Sequence, residues 1–270
     1  LVLFLIESRA EAQIAEYAAE FAKQGDSVLE ITTPLESRAY VELTRRIQAH
    51  YHVVSEWDEK GQSLLIPGGQ RAVSPGRMHI GGDWSHAAFY LVAGAIGRGE
   101  IRLTGLDPNS AQGDRALVGI LRDMGADIRW EGSALVSRAS RLHGLRVDCA
   151  QIPDLVPILA VAMAAAEGES RITGAARLRI KESDRLSAMA AALTAAGADA
   201  AELPDGLAIR GGKPLHAAKI EGCNDHRIVM AMTIASALSD GEWTITDAEA
   251  TAKSAPAFWQ EFERLGGRTR

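Results

Sequence analysis

The feature that most limits how this chain can fold is that it repeats itself. The segments "GDSVLEIT" from Gly25, "GEIRLTG" from Gly99, "GESRITG" from Gly168 and "GEWTITD" from Gly241 share one pattern, a glycine followed by a short apolar–polar alternation. They recur every ~70 residues, a period too long for a thin solenoid repeat. An apolar, alanine-rich stretch precedes each one: "AEAQIAEYAAEFAKQ", "SHAAFYLVAGAIGR", "IPDLVPILAVAMAAAE" and "DHRIVMAMTIASALS". A second stretch with helical spacing follows: "YVELTRRIQAH", "ALVGILRDMGA", "SDRLSAMAAALTAAGA" and "SAPAFWQEFERLGG". The first three units then run into another alternating segment, such as "SLLIPGG" or "GLAIRGG". Alternation predicts strands and the longer apolar spacing predicts helices. Each unit therefore reads helix, strand, helix, strands. The helices have wide apolar faces and are expected to be buried inside sheets, in a pseudo-symmetric α/β fold.

Gly and Pro punctuate "GGQRAVSPGRMHIGGDWS" between the first unit and the second. The expected division is a one-unit region, residues 1–80, and a three-unit region, residues 81–270. The apolar start "LVLFLI" is too short for a membrane span and lacks the flanks of a signal peptide, so it reads as a buried strand or a cut end. The net charge of −6 argues against a general nucleic-acid surface, so any basic site must be local. Cys149 and Cys223 form neither a metal-ligand spacing nor a disulfide framework, which fits a reducing cytoplasm. There is no phosphate-binding Walker loop, no dinucleotide glycine fingerprint and no paired metal-ligand histidine motif. His50, His52, His79, His86, His143 and His216 stand alone; His226, beside Arg227, is the histidine of interest.

Four places concentrate charge where a helix begins. "RLRIKESDRL" from Arg177 puts Arg177 and Arg179 two apart on an expected strand, then Lys181, Glu182 and Arg185 at the strand end and first helical turn. In "CNDHRIVMAM", Asn224 or Asp225 suits an N-cap, and Arg227 falls in the first turn, where a cation opposes the helix dipole. Lys253 sits in the small-residue stretch "ATAKSAPAF", and Asp154 begins the apolar helix in "DCAQIPDLVPILAVAM". Taken singly, each reads equally as a solvated turn or a simple cap. Three of them recur at equivalent places in the repeats, however, and those ends would converge on one face. Arg185, Arg227 and Lys253 would then line a basic pocket holding Glu182 and Asp154, suited to a small multiply charged anion and to general acid–base chemistry.

"RIKESDRL", "NDHRIVMAM" and "TAKSAPAFW", with "LESRAYVELT", "GGDWSHAAFYLVAGAI" and "NSAQGD" in order, resemble the enolpyruvyl transferases that make 5-enolpyruvylshikimate 3-phosphate, the 3-phosphoshikimate 1-carboxyvinyltransferases. The resemblance implies an inside-out α/β barrel fold, with one complete lobe and part of a second. It implies transfer of the enolpyruvyl group of phosphoenolpyruvate to shikimate 3-phosphate, with release of phosphate, and no metal or organic cofactor. Asp154 and Glu182 would be catalytic. Arg185, Arg227 and Lys253 would bind phosphoenolpyruvate. Ser37, Tyr40, Asp154 and Lys181 would contact shikimate 3-phosphate.

Relative to that family the chain is expected to lack most of the first lobe. The family's Ser-Ser-Gln substrate motif would fall near Ser8 to Glu11, where this sequence has Ser8, Arg9, Ala10 and Glu11. The expectation is therefore a fragment, a divergent or engineered form, or one half of a split enzyme, with a second copy or a complementing N-terminal chain as partner. Two other readings are a non-catalytic subunit that binds anions or that chain, and the sister transferase acting on UDP-N-acetylglucosamine. "KESDR" with "NDHR" fits the shikimate branch better.

Overall fold

A computed structural model describes the backbone of Val2–Ile6 and all of residues 25–270. The helix expected over "AEAQIAEYAAEFAKQ" and the Ser8–Glu11 position lie outside the described residues. Internal contacts divide the chain into two compact units, Leu1–Ile80 with Asn109–Gly113, and Gly81–Pro108 with Asp114–Arg270.

In the first unit, β1 (Val2–Ile6) runs parallel to β2 (Ser27–Ile31). β4 (Ser63–Ile66) and β3 (Glu56–Trp57) add antiparallel strands beyond it. Between β2 and β3 lies α1 (Arg38–His50), in which Val41 alone is buried. The expectation that every helix is buried is corrected here. Arg38, Glu42, Arg45 and Arg46 put charge around α1, so it offers a narrow apolar contact instead of a wide face.

The second unit is built around three helices that touch one another: α2 (Trp84–Ile96), α4 (Val156–Ala165) and α6 (His226–Ala235). They are apolar on all sides. In α4, Val156 through Ala164 are all buried. A helix with no polar face has to be surrounded, and the sheets surround it. β5 (Glu100–Leu103), β7 (Ala134–Arg138) and β6 (Asp127–Glu131) form one antiparallel sheet, in the order β5-β7-β6. β8 (Arg146–Asp148), β9 (Gly168–Thr173), β11 (Gly206–Gly211) and β10 (Asp199–Leu203) form another, and β12 (Lys219–Ile220) pairs with β13 (Thr244–Ile245). Close approach of helix to sheet needs small residues. A Cβ added to Gly94 on α2 would lie 2.7 Å from the Ser137 carbonyl of β7, so only glycine fits there.

The second helix of each unit is amphipathic. α5 (Arg185–Ala195) buries Leu186, Met189, Ala192 and Leu193, a stripe at three- and four-residue spacing, while α3 (Leu117–Asp123) and α7 (Phe258–Arg264) bury still less. Strands β8 and β12 join the repeats. Each leaves the hairpin of one repeat and pairs in parallel with the first strand of the next, as β1 does with β2. Helices inside and sheets outside match the α/β arrangement expected from the repeat.

Candidate active site

The polar cluster of the second unit is assembled from the starts of its helices. Asp154 lies in a 3-10 turn, Pro153–Leu155, that leads into α4. Arg185 is the first residue of α5, capped by the Asp184 carboxylate, which accepts from Ser187 N–H. His226 and Arg227 open α6, where Asp225 is the cap. Lys253 ends the 3-10 turn Ala248–Lys253 that precedes α7. Polar caps, Asp184 on α5 and Asp225 on α6, satisfy free N–H groups at two of these starts and hold Arg185, His226 and Arg227 at the rim of the core.

One expectation fails locally. Arg177 and Arg179 do not share one face of a strand, because Ala176–Ile180 is a 3-10 turn. The segment follows β9, both of whose edges are paired, with β8 and β11, and it adds no strand to that sheet. Leu178 is buried and Arg179 turns outward to Asp184, Glu202 and the carbonyls of Leu203 and Pro204.

The structure brings Asp154, Lys181, Glu182, Arg185, Arg227 and Lys253 together within this unit. Asp154 Oδ1 accepts from Arg185 Nη1 at 2.9 Å and lies 3.6 Å from Lys181 Nζ. Arg227 Nη1 donates to the Asp154 carbonyl at 3.0 Å, and its Nη2 donates to Ser85 Oγ at 2.7 Å. Glu182 is set between His226 Nδ1 at 3.1 Å, Lys253 Nζ at 3.5 Å and Arg185 Nη2 at 3.9 Å. Lys253 Nζ also donates to the Asn224 carbonyl at 2.5 Å. Ser37 and Tyr40 lie in the first unit, at the start of α1, where Tyr40 N–H donates to the Ser37 carbonyl and Ser37 has a positive φ of 53°.

Burial pushes the Asp154 carboxyl up, but Arg227, Lys181, Arg185 and Arg177 together outweigh it and hold the group below the ordinary 3.8. Asp154 is therefore an anion at neutral pH. Burial lowers His226 below 6.5, helped by Arg227 and Arg185, with Glu182 opposing, so the imidazole beside Glu182 is neutral at pH 7. Burial likewise pushes the Cys149 thiol up to about 12, which removes it as a nucleophile.

Among the described residues, Glu182, Asp225 and His226 bring ligand atoms within 4.8 Å of one another, the geometry of a small metal site. Asp225 is, however, already bound on both oxygens by Arg185, and Lys253 and Arg185 stand beside Glu182. A metal ion would have to enter among cations, so the donor set favours an anion. Reading the sequence alone treated Asp225 only as a cap and did not use Ser85 or Ser183. Asp225 sits inside the "NDHR" string, but its partner Arg185 is forty residues away and nothing in either local pattern links them.

The fold of the chain is that of the enolpyruvyl transferases. The fold matches the enolpyruvyl transferase NikO from Streptomyces tendae with a TM-score of 0.79 and 18% identity, over 96% of this chain and 60% of that one. It matches EPSP synthase from Acinetobacter baumannii with a TM-score of 0.81 and 28% identity, over 97% of this chain and 62% of that one. Residues 13–262 match the family described as EPSP synthase (3-phosphoshikimate 1-carboxyvinyltransferase), and the chain belongs to that family. The 3-phosphoshikimate 1-carboxyvinyltransferase of Clostridium novyi is 42% identical over 243 residues, which are 90% of this chain and 55% of the relative. That of Ruminiclostridium cellulolyticum is 38% identical over 274 residues, 98% of this chain and 64% of the relative. The chain thus spans little more than half the length of several such relatives.

Proposed function

We propose that this chain takes part in the transfer of the enolpyruvyl group of phosphoenolpyruvate to shikimate 3-phosphate, with release of phosphate. The observation that carries the reading is the convergence, inside the family-matched span, of two carboxylates with Lys181, Arg185, Arg227 and Lys253. In this mechanism Arg185, Arg227 and Lys253 hold the phosphate and carboxylate of phosphoenolpyruvate. Lys181, beside Asp154, holds shikimate 3-phosphate. Asp154 accepts the proton of the attacking hydroxyl as its oxygen bonds to the central carbon of phosphoenolpyruvate. Glu182 gives a proton to the methylene carbon, forming the methyl group of a tetrahedral intermediate. The C–O bond to phosphate then breaks, Glu182 takes a proton back from the methyl group to restore the double bond, and the proton held by Asp154 leaves with the released phosphate. Fixed charges aimed at the developing anion do the work of a cofactor here.

The first unit is proposed to correspond to part of the family's N-terminal lobe and the second to its C-terminal lobe. The groups that relatives carry in their remaining length would come from further polypeptide, a complementing chain or a second copy of this one. A cytoplasmic setting fits two free cysteines, and among the described residues no helix is long and apolar enough to cross a membrane.

The test is phosphate release from phosphoenolpyruvate with and without shikimate 3-phosphate, read against protein concentration. Release should depend on shikimate 3-phosphate, and a dependence steeper than linear would identify a second copy as partner. Glu182→Gln and Asp154→Asn should each lower turnover by about 10²-fold or more, the usual contribution of acid–base groups. Undiminished turnover in both variants would place the chemistry elsewhere.

A further inference from the structure

We propose that Asp225 is a positioning residue that fixes the plane of Arg185 and aims its terminal nitrogens between Asp154 and Glu182. The inference rests on the reading of this cluster as an anion-binding acid–base site.

Asp225 has no solvent exposure. Its Oδ2 accepts from Arg185 Nε at 2.7 Å and from Ser183 Oγ at 3.0 Å. Its Oδ1 accepts from Arg185 Nη2 at 3.2 Å and from Arg227 N–H at 3.0 Å. An ionised carboxylate offers about four acceptor sites, so Asp225 is fully subscribed and has none left for a ligand. Whatever it does for the site, it does through its partners.

Those partners are informative. Arg185 has five N–H donors arranged as a rigid fork. The side edge, Nε with one hydrogen of Nη2, is held by Asp225 as a bidentate pair. One Nη1 hydrogen goes to Asp154. The second hydrogens of Nη1 and Nη2 remain, and Glu182 Oε1 is 3.9 Å from Nη2. A single-point contact would let the guanidinium rotate. Two-point contact fixes its plane, and with it the direction in which the last two donors face. The same carboxylate caps α6 through Arg227 N–H, so it also joins the start of α5 to the start of α6. Arg185 and Arg227 enter the site from two separate helices, and Asp225 holds both to one frame.

Charge and orientation predict opposite outcomes for one substitution. Asp225→Asn removes a negative charge beside the site, which on charge alone tightens anion binding. It also replaces an acceptor with an NH2 group that faces Arg185, so on the positioning account binding weakens. Calorimetric titration with phosphoenolpyruvate, and separately with inorganic phosphate, reads the difference. A folded Asp225→Asn chain is expected to bind about tenfold or more weakly than the parent, a change of about 1.4 kcal/mol. Equal or tighter binding overturns the proposal. Asp225→Glu, which keeps the charge and moves the carboxylate, should lose affinity as well.

A second measurement needs no folded Asp225 variant. In the unsubstituted chain, NMR of guanidinium nitrogens should show a slowly exchanging Arg185 Nε–H with hindered rotation about Nε–Cζ, identified by its absence in Arg185→Lys. Free rotation of Arg185 overturns the proposal whatever the titrations give. Should the parent chain bind neither probe while Arg185 is rotationally locked, the anion-site reading fails and the positioning geometry stands.

Discussion

Two charge clusters in the second unit have nearly the same chemistry and different settings. On the outer sheet, Arg138 Nη2 meets Glu131 at 2.6 Å, Arg138 Nε meets Glu100 at 3.0 Å, and Arg102 meets Glu131 at 2.8 Å. At the helix starts, Arg185 meets Asp225 at 2.7 Å and Asp154 at 2.9 Å. The distances do not tell the clusters apart. Burial does: the side chain of Arg138 is 30% exposed and that of Arg185 is 3% exposed. The outer residues come from adjacent strands, β5, β6 and β7, and water can replace any partner. The inner ones come from three separate helix starts, and loss of Arg185 leaves the Asp225 charge without water. Function accumulates where charges are held together by the fold, and not simply where ion pairs are short.

The sharpest way to break this comparison is to remove one arginine from each cluster. Arg185→Ala strands Asp225 in a site with no solvent. Breaking a buried pair in this way costs about 3–5 kcal/mol, so urea unfolding should shift strongly toward lower denaturant. The same variant should lose phosphoenolpyruvate binding. An Arg185→Ala chain as stable as its parent would mean that the inner cluster is as well solvated as the outer one.

Ser85→Ala is a smaller perturbation of the inner cluster. It removes the hydroxyl that accepts from Arg227 Nη2 and leaves the bond from Nη1 to the Asp154 carbonyl. A hydrogen bond to a charged group contributes about 1.5–3 kcal/mol, and the remaining bond should keep the loss near the lower end. Chemical denaturation resolves a change of that size, and Ser85→Thr, which keeps the hydroxyl, should recover part of it.

Acid should weaken the inner cluster in two stages. The Asp154 carboxyl lies below 3.8 in the folded chain despite burial, because Arg227, Lys181 and Arg185 oppose it; Asp225 likewise lies below 3.8 despite burial, because of Arg185. The unfolded chain binds protons at these groups more readily, so their stabilisation is complete above pH 3.8 and is lost as pH falls through the folded values. His226, lowered by burial, works in the same direction from a higher pH. Below 6.5 the unfolded imidazole takes a proton that the folded one resists, so stability declines there first. His226→Gln should remove the step below pH 6.5 and leave the more acidic step in place. A pH profile identical to that of the parent chain would show that His226 carries no linkage.

The helices α2, α4 and α6 were legible because a run such as "VPILAVAMAA" has no polar face to expose. β8 and β12 were not, since strands of three and two residues are too short for alternation to register. Arg177 and Arg179 were misread because "RLRI" alternates as well as any strand does. The segment is instead a 3-10 turn that buries Leu178, an outcome of tertiary packing with no local signature. In the site, the capping residue Asp225 could be recognised from its place before an apolar helix. Its grip on Arg185 could not, because it depends on two repeats packing side by side. His226 was singled out only by its neighbour Arg227, yet it touches Glu182.

The smallest effect tests the other half of the comparison. Arg138→Ala removes two short ion pairs at once, those with Glu131 and Glu100. Both carboxylates remain in contact with water and Arg102 still faces both of them, so neither is stranded. Exposed pairs of this kind contribute little, and salt screens them further. The urea midpoint of Arg138→Ala should therefore match the parent within replicate error, and added salt should not separate the two. Arg185→Ala should remain destabilised at every salt concentration, because its partner is shielded from the ions that would screen it. If Arg138→Ala proved as damaging as Arg185→Ala, burial would not be what distinguishes the two clusters, and the argument that sets the helix-start residues apart as a site would lose its physical basis.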